Sequence, residues 1–345
     1  MNTHSLSAII FAGFAVLLGT ACQTATQQDV ESLGQKSEAL GLPGYYDYTT
    51  TRVIGRIYDL AGRDLNGVSL NGKVLDGHLV VSVGLSSAKV QGVTAREVSL
   101  DGSVFTGRSG SGKALKAEQW VGAEFTALLD DGESIALRID ERVVSKERSE
   151  RDVVRYVVSY PTLEGRSSLC GEDQNGNPIA AIPLQGRWNY EAGAAGGGDK
   201  IDDPTVFTFA CDGFVLAKCV HMGYHPWWPV MICTKGHGCE KSTLSAHHQA
   251  CTRMLRADYC GNGLSHTVDG TAVNAYDGIG VRSDGEAWNL EAEWTASGAR
   301  CAAVERISEP NQPSCWPQLE SATCGDPANF GSGTLIMSEV EPAQQ

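Results

Sequence analysis

The chain has 345 residues, 42% of them hydrophobic and 20% charged, with a formal net charge of -14. This composition suits a folded body of two modest domains. It excludes nucleic acid as a partner, because phosphate binding draws on clustered Lys and Arg; the ordinary use of such acidity is solubility.

Ala8 to Leu18 is an apolar run of signal-peptide length, too short to span a bilayer, followed by Gly19-Thr20-Ala21 and then Cys22. The segment resembles the lipobox of bacterial lipoproteins, in which the cysteine is acylated and becomes the mature N-terminus, and Gln23 after it resembles the outer-membrane default. The alternative is an ordinary secretory signal cut after Ala21, which leaves Cys22 a spare thiol. Eleven cysteines occur, and setting Cys22 aside leaves ten: Cys170, Cys211, Cys219, Cys233, Cys239, Cys251, Cys260, Cys301, Cys315 and Cys324. An even number suits five disulfides in an oxidising compartment, hence an exported protein at the outer membrane or cell surface, or otherwise periplasmic or secreted. No CxxC pair occurs, which disfavours a redox dithiol and the usual zinc-ribbon spacings.

With 1–22 as leader, the polar, aperiodic residues 23–50 form a linker. In the next segment, 51–160, Leu65-Asn66-Gly67, Leu70-Asn71-Gly72 and Leu75-Asp76-Gly77 recur every five residues, with Leu100-Asp101-Gly102 as a detached copy. Three consecutive copies supply less than one full coil of a pentapeptide solenoid, so tight Asn-Gly and Asp-Gly turns between short strands are the better reading. Alternating or β-branched runs predict strands over Leu79 to Val83, Val121 to Leu129, Ile135 to Val144 and Val153 to Tyr160, with a hairpin turn at Asp130-Asp131-Gly132-Glu133. Gly107 to Ala114 mimics a phosphate-binding loop but has Ala114 where Ser or Thr must meet magnesium, so no nucleotide is expected and no cofactor is implied. The charged stretch Ser145 to Asp152 reads as a solvated loop.

Beyond residue 160 the composition shifts towards Cys, Trp and Gly, marking a second domain over 161–330 and a polar tail over 331–345. Ala192 to Asp199 predicts a flexible glycine loop. The clearest helix runs from Leu244 to Tyr259, capped by Ser242 or Thr243 and stopped by Gly261, with an apolar face of Leu244, His248, Cys251, Leu255 and Tyr259. Strand character returns over Thr267 to Val281 and Glu286 to Ala296, with Trp288, Leu290, Ala292 and Trp294 on one face and Asn289, Glu291 and Glu293 on the other, solvated one. The expected class is α+β, mainly β: a small N-terminal β domain followed by a disulfide-rich α+β domain with one clear central helix.

Arg256-Ala257-Asp258-Tyr259-Cys260-Gly261 resembles the signature of the ADYC-domain family of bacterial proteins. So do Ala181-Ile182-Pro183-Leu184 with Gly186 and Trp188, Phe207 to Cys211, Ala217-Lys218-Cys219-Val220, Gly223-Tyr224 with Pro226-Trp227, His247 to Arg253, and Gly298 to Cys301. The resemblance implies a secreted, cysteine-rich domain that follows a Leu-Asn-Gly-type repeat, and it implies no activity.

Five of the eight histidines lie between His221 and His248, which raises metal and general-base readings. His247 and His248 diverge by about 100° around a helix, and His247 would stand roughly 16 Å from Asp258. His221 and His225 have i, i+4 spacing, but Gly223 interrupts it and Pro226 pushes His225 out of helical geometry, so no metal is expected and these two are the alternative pair. Cys251 and Cys260 would lie about 13 Å apart, too far for a mutual bridge, so each should tie the helix to a different segment. Trp227-Trp228, between Pro226 and Pro229, either packs into the core or offers rings to a sugar or a protein. Two functions follow: a non-catalytic envelope protein tethered to a membrane by its lipid and binding glycan or protein, or a hydrolase of envelope polymers using His247 or His248 with Asp258, Asp277 or Glu291.

Overall fold

The computed structural model describes residues 69–70, 78–145, 150–234, 238–267, 271–285, 287–306 and 312–342. The leader, Cys22, the linker and most of the five-residue repeat lie outside the described residues; of the repeat's three consecutive copies only Leu70 falls within, in the short strand Ser69–Leu70 paired with His78–Leu79.

Six antiparallel strands close on themselves. They are β1 (His78–Gly84), β2 (Glu124–Leu129), β3 (Ser134–Val144), β4 (Val154–Thr162), β5 (Ala181–Gln185) and β6 (Val206–Cys211). Around the ring the order is β1-β6-β5-β4-β3-β2, and β2 pairs back to β1 through Val80↔Leu129 and Val83↔Ala127. Closure leaves these strands no free edge. The alternation legible in the sequence sends Phe125, Ala127, Leu129, Leu137 and Ile139 inward, all buried. A hairpin of Arg96–Asp101 and Val104–Arg108 contributes Phe105, whose ring lies 4.9 Å from Phe125, 5.2 Å from Tyr156, 5.1 Å from Phe207 and 5.5 Å from Trp120. Edge-to-face and tilted rings at these spacings fill the core with aromatic side chains. The turn of that hairpin is the detached Leu100-Asp101-Gly102 copy, with Gly102 at φ +62°.

The barrel overturns the expected fold class. The protein is predominantly β with few, short helices, and the β region before residue 160 does not stand alone, because β5 and β6 from beyond it complete the ring. Strand-by-strand periodicity was legible; which strands close a ring depends on pairings distant in sequence, and periodicity carries none of that.

After β6 come helix α1 (Val215–His221), an isolated hairpin of β7 (Pro229–Thr234) and β8 (Gly238–Thr243), and helix α2 (Ser245–Arg256). A second sheet has the order β9 (Val273–Asp277), β12 (Ile336–Val340), β10 (Asn289–Thr295), β11 (Gly298–Ala302), with the single-turn helix α3 (Trp316–Leu319) before β12. The expected polar tail over 331–345 is therefore wrong: β12 is an inner strand and all five of its residues are buried. Its apolar Ile336, Met337 and Val340 pack, while Ser338 and Glu339 find polar partners in Glu291 and Asn274.

Helix α2 ends three residues earlier than expected. Ala257 adopts a left-handed conformation (φ 50°, ψ 40°), and its N–H returns to the carbonyls of Arg253 and Met254. The predicted apolar face is buried, but so is every residue from His247 to Arg256. The cause is a wrap: α1 and the second sheet cover two sides, and the Ala192 to Asp199 segment, expected to be flexible, covers another. A Cβ on Gly197 would come within 2.1 Å of the Glu191 carbonyl and 2.3 Å of that of Asn262, so this glycine serves close backbone packing.

Four disulfides are described: Cys170–Cys211, Cys219–Cys251, Cys260–Cys315 and Cys301–Cys324. Cys239 is also disulfide-bonded, and its register partner across the β7–β8 hairpin is Cys233. Cys251 and Cys260 join different segments, as expected, although the helix on which that expectation rested stops at Arg256. Bridges of this number indicate an oxidising environment, hence export. Among the described residues no helix is long and apolar enough to cross a membrane.

Candidate functional site

Charged and aromatic side chains converge at the seam between the barrel and the C-terminal end of α1. Apolar Val215, Leu216, Ala217, Cys219 and Val220 bury α1, which leaves His221 half-buried at its end. His221 is held from both sides: Nδ1 donates to Glu150 (2.6 Å) and Nε2 to Asp212 (3.0 Å), whose other oxygen takes Arg155 (2.9 Å). Burial alone would lower this imidazole's pKa, but the two carboxylates outweigh it and raise it to about 9. The hydrogen bond from His221 in turn draws Glu150 down to about 2.

Four residues on, a single oxygen of Asp152 accepts Trp228 Nε1 (2.5 Å), Trp227 Nε1 (2.9 Å) and His225 Nδ1 (3.2 Å). Burial opposes ionisation of Asp152, and the three donors outweigh it, holding the carboxyl below its usual range. Ser103 ties the same loop to the barrel hairpin, donating to the Asp152 carbonyl (3.1 Å) and accepting from Val154 N–H (2.6 Å). A Cβ on Gly102 would stand 3.0 Å from Trp227 Nε1, so the indole lies against bare backbone. Of the stretch expected to be a solvated loop, residues 146–149 lie outside the described residues, and Glu150 and Asp152 form a latch. It roots the β7–β8 hairpin, all six of whose residues from Gly238 to Thr243 are exposed.

The residues expected to carry catalysis are dispersed. His247 and His248 sit in the core with no carboxylate partner: His248 Nε2 donates to the Leu216 carbonyl (3.0 Å), and the Nδ1 atoms of both rings are buried without a hydrogen-bond partner. Asp258 pairs with Arg253 and accepts Asn262 N–H (3.1 Å) and Gly263 N–H (2.9 Å). Asp277 organises its own turn, taking Ile279, Val281 and Arg282 N–H and the Tyr224 hydroxyl; burial pushes its carboxyl up against those donors. Glu291 lies on the face expected to be solvated, yet it and Glu293 are fully buried, because α2 covers one side of the sheet and the 324–334 segment the other. Arg306 forks onto Glu291 through Nε and Nη2 (2.9 Å each), Tyr259 and Ser338 donate to it (2.7 Å each), and the same guanidinium caps the Met254 and Leu255 carbonyls at the end of α2.

The alternative metal pair is not assembled, since both ring nitrogens of His221 and Nδ1 of His225 are taken by carboxylates. Two other groups converge among the described residues. Glu293 meets Cys301 and Cys324, whose sulfurs are spent on each other, and His78 meets Asp130 and Asp131 on an exposed barrel turn. Sequence reading missed Glu150, Asp152, Asp212 and Arg306. Nothing in spacing could find them, since each partner lies nine or more residues away.

The signature Ala257-Asp258-Tyr259-Cys260 is built into this scaffold residue by residue: Ala257 turns the chain, Asp258 locks Arg253, Tyr259 joins Glu291 and Cys260 bridges to Cys315. Gly261 follows because its Cβ would fall 1.8 Å from the Ser297 carbonyl. No curated protein and no solved structure matches the chain. The model of the ADYC domain matches residues 117–308, more than half the chain, from β2 of the barrel to β11 of the second sheet; the protein belongs to the ADYC-domain family.

Proposed function

We propose that this chain is an envelope lipoprotein, tethered through acylated Cys22, that acts by binding an envelope partner and not by turnover. The observation that carries the reading is the β7–β8 arm. It pairs with no other strand among the described residues, exposes Gly238 to Thr243 and half-exposed Met231, and stands on a root that Asp152 and two indoles hold rigid. An open two-stranded edge on a fixed root offers backbone donors and acceptors to an extended segment of another protein at little ordering cost. The groups that could have performed hydrolysis support it too, since Asp258, Asp277 and Glu291 are each engaged in intramolecular bonds and His247 and His248 are core.

The test is cross-linking of full-length protein in intact cells, comparing wild type with a Met231→Asp, Lys241→Pro arm variant. Capture of one envelope protein by wild type and its loss in the variant is expected; equal capture, or recovery of glycan alone, overturns the assignment to the arm. Mass spectrometry of the mature N-terminus should find diacylglyceryl-modified Cys22, and an unmodified terminus removes the anchor.

A further inference from the structure

Helix α2 carries two adjacent imidazoles into a core that has no means of stabilising their charge. His248 is 0% and His247 3% exposed. The Nε2–H of His248 is committed to the Leu216 carbonyl in α1, which leaves Nδ1 as the bare nitrogen, and no donor or acceptor reaches it. The ring of His247 lies 6.2 Å from that of Tyr224 at an 18° tilt, and its Nδ1 is likewise buried and unpartnered. A proton arriving at either Nδ1 would have no acceptor, the costliest way to bury a charge.

The surroundings offer no relief. Lys200 and His225 face His248 and repel added positive charge, and Trp188 meets its ring edge-on at 6.1 Å. On the elements packed against α2, these charged groups are engaged away from the two rings: His221 with Glu150 and Asp212, Glu291 with Arg306, Glu293 with Asn329 and Thr334, Arg300 with Thr334, Glu339 with Asn274, and Asp199 of the covering segment with Arg253. Lys218 of α1 is a further buried ammonium, and α2 itself adds Arg253 and Arg256. Asp277 is engaged by the hydroxyl of Tyr224, whose ring lies against His247, and by three backbone N–H groups of its own turn.

We propose that His247 and His248 are an acid-operated release for the contact between α1 and α2: protonation expels the first turn of α2, and the buried Cys219–Cys251 bridge keeps the two helices tethered so that they reclose on neutralisation. Because the β7–β8 arm is the segment joining these helices, release changes how the arm is held. Burial depresses His247 to about 4 and His248 to about 3, from an ordinary 6.5. A depressed histidine stabilises the closed state fully above 6.5 and progressively less as pH falls towards the depressed value, so the working window runs from pH 6.5 down to about 4 for His247 and about 3 for His248. Glu150 of the latch keeps its charge there, since the hydrogen bond from His221 holds its carboxyl down at about 2.

The experiment is hydrogen exchange of the full chain at pH 7.5 and 5.0, corrected for intrinsic rates, on wild type and on His247→Phe, His248→Gln. Gln preserves a donor towards Leu216 and Phe a ring against Tyr224. Wild-type amides of α1 and α2 should lose protection by a factor on the order of thirty per histidine between the two pH values, reversibly, with the barrel unchanged and the variant nearly flat. Equal loss in both proteins, or loss throughout the barrel as well, overturns the proposal. Should the double variant fail to fold, imidazole proton shifts of the wild type decide: titration of both rings near 6.5 without loss of protection overturns it, and resistance to protonation until the helix contact opens supports it.

Discussion

The barrel and the region around α2 are two cores made in different ways. The barrel is filled by Phe105, Trp120, Phe125, Tyr156, Phe207 and Phe209, and its single described disulfide, Cys170–Cys211, sits at one end of β6. Around α2 the core is polar and crosslinked: Arg253 with Asp258, Arg306 with Glu291, Glu293 with Asn329 and Thr334, and three described bridges. An aromatic core is stabilised by area and shape, so it tolerates loss in proportion to volume. A buried ionic core has no such tolerance, because removing one partner strands the other.

This contrast can be broken by experiment. Arg306→Ala should cost the most, about 3–5 kcal/mol, since it leaves Glu291 buried and uncompensated and uncaps two carbonyls of α2; chemical denaturation measures it. A neutral effect would mean that the Glu291 site admits water. Phe105→Ala should cost about 3–4 kcal/mol in the same assay, and Phe105→Leu appreciably less, because a barrel core responds to volume. Removing the Cys170–Cys211 bridge by paired Ser substitution should cost about 2–4 kcal/mol, given the 41 residues it spans.

Smaller effects sharpen the seam between the two cores. Asp152→Asn keeps an acceptor but loses the charge that three donors share, so a cost of about 1–2 kcal/mol and altered Trp fluorescence are expected. His221 has a raised pKa, so its contribution is complete below 6.5 and is lost as pH rises through about 9. Denaturation midpoints of wild type should therefore fall between pH 7 and 10 more than those of His221→Asn; parallel profiles would show that the clamp adds nothing.

Local pattern was enough for much of the fold. Strands β1 to β4 lie within a few residues of the expected runs because a half-buried strand needs only period-2 alternation. Helix α2 was legible from its apolar face, and Cys251 and Cys260 do bond to other segments as expected, although the helix ends at Arg256 and helical rise covers only part of the interval between them. Where a second layer covers an element, pattern misleads: Glu291 and Glu293 alternate as a solvated face should, and a guanidinium 15 residues away and an asparagine 36 away bury them.

By itself the sequence determined the cysteine-rich character, the family and the strand and helix periodicities, all properties of residues near one another along the chain. Only the tertiary structure decided that six strands close into a ring across residue 160, that 336–340 is an inner strand, that a charged loop is the latch on Trp227 and Trp228, and that His247 and His248 have no acid beside them. Each of those rests on pairings between segments far apart in the chain, where burial and partner geometry, and not local preference, set what a side chain does.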